Sequence, residues 1–183
     1  LLEFNFGTMR WKWDESTIRS ETSVSDNVLQ ILKKKLLKLP PAVLEVLQIA
    51  ACIGSSFSTS IIVLVAQYVR DNCGFTQTSV PVKMDDANTF ADFVKISMNA
   101  CVEAGILQEK AANGGYRFQH DQIQSAAVSL LPVDRLGILQ LQIGSALAEE
   151  LPEAKLEQCL FAAVDLLNNS SELLTDETRK IWL

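Results

Sequence analysis

Histidine is almost missing from this sequence: His120 is the only one in 183 residues. Any Ser/His/Asp or Cys/His nucleophile would have to be built on that one ring, and neither Gly-x-Ser-x-Gly nor His-Glu-x-x-His occurs. The four cysteines, Cys52, Cys73, Cys101 and Cys159, include no Cys-x-x-Cys pair, and one histidine cannot complete a zinc set of usual spacing. They are expected to be reduced thiols of a cytoplasmic protein, acting as small buried hydrophobes. Also missing is any Gly-x-x-x-x-Gly-Lys-Ser/Thr stretch, so the backbone cradle and lysine that hold a nucleotide's phosphates are not there. The chain is therefore expected to be no enzyme by itself, with no catalytic residue, metal site or cofactor of its own. Long apolar runs are lacking too. The uncharged stretch from Val46 to Val69 is interrupted by Gly54-Ser55-Ser56 and Ser58-Thr59-Ser60, so no membrane span or anchor is expected. Positive charge is in deficit, with 16 Lys and Arg against 22 Asp and Glu and a net charge of −6. That sign opposes the phosphate backbone and argues against nucleic acid as a partner.

What is present is apolar periodicity. Apolar residues make up 48% of the chain, enough for one or two small cores. Leu2-Glu3-Phe4-Asn5-Phe6 and Trp11-Lys12-Trp13 alternate like two short strands or an extended arm, and Ser16 to Ser25 is a polar connector. Asp26 suits an N-cap for a helix through Lys38, with Val28, Leu29, Leu32, Leu36 and Leu39 on one face. Lys33-Lys34-Lys35 lies opposite, as a solvated face or a phosphate-binding patch. Pro40-Pro41 ends that helix and opens a second, bearing Val43, Leu44, Leu47, Ala50 and Ala51 up to a cap at Gly54. Ser58 or Thr59 caps a third with Ile61, Leu64, Val65 and Val69, and residues 71 to 86 form a loop. A fourth helix runs from about Ala87 to Ala104 with Phe90, Phe93, Val94, Met98 and Val102.

Ile106 to Lys110 then pairs with Tyr116 to Gln119 across Asn113-Gly114-Gly115, a strong hairpin signal. Helices followed by a hairpin is the order of a winged helix-turn-helix unit. Beyond it Ile123, Ala126, Ala127, Leu130 and Leu131 mark one helix, Leu136, Leu139, Ile143 and Leu147 the next, and Leu156, Leu160, Ala163, Val164 and Leu167 a third. The expected fold is mainly α: an arm and linker over 1–25, a winged-helix-like domain over 26–131, and the start of an antiparallel, TPR- or solenoid-like helical array over 132–183. The opening Leu1-Leu2-Glu3-Phe4 lacks an initiator Met and a signal pattern, and the helix begun at Asp176-Glu177-Thr178 breaks off at Ile181-Trp182-Leu183. A segment of a larger protein is therefore expected.

Two groups of residues suggest chemistry. The carboxylate pairs Asp85-Asp86 and Glu149-Glu150 stand at expected helix boundaries, where capping and solubility account for them. Phe118-Gln119-His120-Asp121 leaves the second hairpin strand and enters a helix, and Asp121 with Gln124 has the spacing of a capping box. His120 either hydrogen-bonds an anion at this positive helix end or is a structural residue holding the wing to the helix.

Leu2-Glu3-Phe4, Trp11-Lys12-Trp13-Asp14, Leu47 to Phe57 and Tyr116 to Ala127 together resemble the post-ATPase region of large signalling kinases. Those proteins carry a STAND-class, AAA-like ATPase between a protein-kinase-like domain and GAF, histidine-kinase or cyclase domains. The resemblance covers nearly the whole chain, with Leu160-Phe161 and Asp165 to Asn168 similar to the helical segment that follows, while residues 71 to 88 run longer than the pattern. It implies a regulatory segment whose winged helix folds over the nucleotide site. The His-Asp pair at His120-Asp121 is similar to the family's Met-His-Asp-like motif, which places its histidine near the ADP β-phosphate. ATP or ADP with Mg is then expected only with the ATPase core. The implied partners are that core, neighbouring signalling domains and proteins bound on the helical array. The alternatives are a DNA-binding winged helix, which needs a basic recognition helix where Asp92, Lys95 and Glu103 stand, and a plain helical scaffold.

Overall fold

The computed structural model describes residues 2–5, 7, 9–13, 28–73, 87–110, 114–151 and 153–170. These residues are mainly helical and include a small antiparallel sheet. Strands β1 (Leu2–Asn5) and β2 (Arg10–Trp13) pair antiparallel, with Leu2 opposite Trp13. Helix α1 covers 28–36. The N-cap expected at Asp26, the polar connector, Asp85-Asp86 and the helix expected after Asp176 lie outside the described residues.

Helix α2 (Pro41–Ile53) begins with Pro41, whose fixed φ and missing N–H suit the first turn. It is apolar almost all round, with Val46, Leu47, Ile49, Ala50 and Ala51 buried, and a helix of that pattern belongs at the centre of a core. Helices α3 (Thr59–Cys73), α4 (Ala87–Glu103) and α5 (Asp121–Val128) all pack on it. The Ser58 hydroxyl caps α3 by accepting the Ile61 amide at 3.3 Å. This helix continues past the expected stop at residue 70. Its last turn is held by an Asn72 side-chain bond to the Tyr68 carbonyl and by the Arg70–Asp71 pair at 2.9 Å.

Strands β4 (Leu107–Lys110) and β5 (Gly115–Phe118) form the expected hairpin, Leu107 facing Phe118 and Lys110 facing Gly115. A third strand absent from the sequence expectation, β3 (Ser56–Ser58), pairs antiparallel on the other side of β5, so the sheet order is β3-β5-β4. Phe57 anchors it, its ring 6.1 Å from Phe118 and 6.2 Å from Tyr116. Gly115 makes the pairing possible, because a Cβ there would lie 2.6 Å from the Phe57 carbonyl oxygen.

After Pro132 the chain turns by 112° from α5 into α6 (Val133–Glu150), and α7 (Glu153–Asn169) returns along it. Ile143, Ala146 and Leu147 of α6 and Ala163 and Leu166 of α7 join the same apolar cluster as α2 and α3, so the core is continuous across residue 132. The expected face of α7 is corrected in part: Ala163 is buried and Leu167 half-buried against Gly144 of α6, as expected. Leu160 and Val164 are exposed, as is Phe161, while Leu166 faces inward. The helix is apolar on two sides, and periodicity alone cannot say which stripe turns in. Arg135 of α6 reaches back to Glu45 of α2 at 3.1 Å. Among the described residues no single helix is long and apolar enough to cross a membrane.

Candidate functional site

The end of β5 is held at its junction with α5 by two backbone ties. Phe118 donates to the Ser55 carbonyl at 3.0 Å and Gln119 to the Ile106 carbonyl at 3.1 Å, pinning the end of β5 between β3 and the start of β4. Phe118 is buried beneath it, and the chain then crosses His120 in an extended conformation, φ −153° and ψ 143°, before turning helical at Asp121. An extended residue followed by a helical one is the geometry of an N-cap. His120 fills that position, its Nδ1 accepting the Gln122 amide at 3.1 Å and its carbonyl accepting the Ile123 amide at 2.9 Å.

The expected capping box is thereby corrected. Asp121 sits one residue inside the helix, its side chain 94% exposed, and the capping acceptor is the imidazole before it. Gln124 does not fold back toward the cap. It donates from Nε2 to the Ala51 carbonyl at 2.8 Å, meeting one of the last carbonyls of α2, which no later amide of that helix can bond.

The cap fixes the chemistry of the ring. With the Nδ1 lone pair taken by an N–H, the neutral imidazole carries its proton on Nε2. The Asp121 carboxylate stands 3.6 Å from Nδ1. The ring is 61% exposed, so a hydrogen-bond donor stands at the positive end of α5 with solvent around it.

Other expected groups have local roles. Lys35 of the basic run donates to the Gly105 carbonyl at 3.3 Å, holding α1 to the end of α4, while Lys34 is exposed. Glu149 and Glu150 lie in the last turn of α6, where carbonyls rather than amides are exposed, so the capping expected of them is corrected. Glu149 instead accepts the Tyr68 hydroxyl at 3.3 Å. Burial, then the Glu149 carboxylate and its hydrogen bond, then Glu150, push the Tyr68 phenol above its ordinary range. Burial pushes the Cys52 and Cys101 thiols up to about 12 and raises Cys159 as well, so none is a ready nucleophile near neutral pH. Among the described residues no three His, Cys, Asp or Glu side chains cluster for a metal.

Sequence reasoning missed an open cleft of about 1020 Å³ between α3, α4 and the end of α6. Its only trace in the sequence is the mixed stripe Ser60, Val63, Leu64 and Gln67 on α3. No family model, curated protein or solved structure matches the chain.

Proposed function

We propose that this chain is a regulatory segment of a multidomain STAND-type signalling ATPase of the cytoplasm, coupling the nucleotide state of a separate core to neighbouring output domains. In this reading residues 1–25 are an arm and linker, 26–131 a winged-helix unit that docks on the core, and 132–183 the start of a helical array offering surfaces to protein partners. Supporting the winged-helix part is the order α2-β3-α3-α4-β4-β5, with β3 returning beside β5. The antiparallel pair α6 and α7 follows, with Leu160, Phe161 and Val164 free on its outer face.

The observation that carries the nucleotide-sensing role is the N-cap at His120. Its Nδ1 is committed to the helix, which leaves Nε2 of a ring 61% exposed, at a helix N-terminus, as the atom able to donate to an ADP phosphate. Duplex DNA is the poorer partner. Lys95, the one cation exposed along the middle of α4, is paired with Asp92 at 3.2 Å, and Ile96, Asn99 and Glu103 complete that surface.

The test is made in the longer protein carrying the ATPase core. His120→Asp keeps a capping acceptor but sets a negative charge toward phosphate, so ADP affinity is expected to fall roughly 10- to 150-fold with an unchanged melting temperature, from the ~1.5–3 kcal/mol of a hydrogen bond to a charged group. Calorimetric titration and a melting curve decide. Unchanged ADP affinity in His120→Asp leaves the histidine as a helix cap and nothing more.

A further inference from the structure

The cleft between α3 and α4 carries a second inference, independent of the nucleotide reading. Its floor is apolar, formed by Val63 and Leu64 of α3 and Ala91 of α4, all half-buried. Along its length the electrostatics run one way. The α3 N-terminus lies at one end, where Thr59 is tied to the Gly114 carbonyl at 2.6 Å and the first turn holds no acidic residue. At the other end the C-terminal halves of α3 and α6 meet at the Tyr68–Glu149 hydrogen bond.

That second end is strongly negative for two reasons. The α6 C-terminus carries the negative end of its macrodipole with no basic residue in its last turn to offset it, whereas the α3 C-terminus has Arg70. Glu149 and Glu150 add two carboxylates at the same place. The other charges of the cleft are already matched, Asp71 with Arg70 at 2.9 Å and Lys95 with Asp92 at 3.2 Å. Among the described residues no lysine or arginine stands within 4 Å of Glu149 or Glu150. Tyr68, raised by burial first and then by these two carboxylates, reports the same field.

We propose that this cleft is the docking groove for a cationic amphipathic helix of a partner protein, its apolar face on Val63, Leu64 and Ala91 and its basic end on Glu149 and Glu150. The fit is of length as well as charge. The 15 residues of α3 give a groove about 22 Å long, about four turns of an added helix. The recognition is helix-in-groove, with apolar anchors for affinity and the acidic end fixing direction.

The experiment uses the whole chain, ¹⁵N-labelled, titrated with a rhodamine-labelled peptide of roughly 14 residues, long enough for that groove. The peptide carries leucines at i, i+3, i+4 and i+7 and three lysines at one end, and a scrambled peptide of the same composition is the control. The expected result is saturable binding, with amide shifts centred on Val63, Leu64, Tyr68 and Ala91. Glu149→Gln with Glu150→Gln, both exposed positions, is expected to weaken it on the order of 10-fold while the far-UV spectrum stays unchanged. Ala91→Trp, which fills the floor, is expected to abolish it. The proposal is overturned by equal binding of the scrambled peptide, by shifts centred elsewhere, by no saturation, or by full affinity in the carboxamide double variant.

Discussion

Gly115→Ala isolates the strand that gives the sheet its third member. The added methyl falls 2.6 Å from the Phe57 carbonyl oxygen and 3.2 Å from Ser58 Cα, both backbone atoms that no rotamer change can clear. Either β3 or β5 must move by several tenths of an ångström, which strains a ladder only three residues long. Overpacking of this kind costs about 1–3 kcal/mol. The upper bound is set by Phe57: if β3 lets go entirely, a buried aromatic ring leaves Tyr116 and Phe118, a loss of about 3–5 kcal/mol on the scale of Phe→Ala. For a chain of this length the expected fall in melting temperature is about 3–10 °C. The neighbouring Gly114 provides the control. Its φ is +58° with nothing near its Cβ position, so Asn, which tolerates the left-handed region, should be nearly neutral at 114 and damaging at 115. Urea unfolding at constant m-value gives the numbers. A Gly115→Ala variant within about 0.5 kcal/mol of the parent, or a Gly114→Asn variant as unstable as Gly115→Asn, refutes the close-approach account.

His120→Ala removes the α5 cap and is expected to cost about 1 kcal/mol by chemical denaturation, with His120→Asn and His120→Asp restoring most of it. A double-mutant cycle on Glu45→Gln and Arg135→Gln is expected to return a coupling of about 1 kcal/mol, since Glu45 is largely buried, and zero coupling means the α2–α6 pair is idle. The thiols of Cys52 and Cys101 have folded pKa values raised from 9.0 to about 12. Their contribution to stability is therefore complete below pH 9 and is lost as pH rises from 9 toward 12; Cys101→Ala should flatten that part of the profile. In alkylation at alkaline pH followed by peptide mapping, the half-buried Cys159 should react faster than the fully buried Cys101. Ultraviolet titration of the phenols should find Tyr68 above the ordinary range and lowered in Glu149→Gln, because the causes named after burial are the two carboxylates.

The helices and the hairpin were legible because each has its own signal. Pro41 opens α2, apolar residues recur at helical spacing, and Gly114 marks the turn into β5. Strand β3 was not, since Ser56-Phe57-Ser58 offers one apolar residue in three and its partner is some 60 residues away in sequence. The same limit affected α7, whose two apolar sides leave the inward one to be chosen by α6. At the candidate site the spacing of Asp121 and Gln124 was real but one residue out of phase. A cap depends on the backbone angle of a single residue, and the extended φ of His120 assigned that place to the imidazole. The cleft was invisible because it is a relation between three helices, with Glu149 and Tyr68 brought together from 81 positions apart.

Among the described residues the order β3-β5-β4 makes β3 and β4 the outer strands of the sheet, and this bears on how the chain tolerates crowding with its own copies. β4 presents Gln108, Glu109 and Lys110 to solvent, so a second strand laid against it must face opposite charges and a polar amide rather than an apolar strip. β3 is three residues long, too short to template a sheet. Both features discourage edge-to-edge growth from the β4–β5 hairpin.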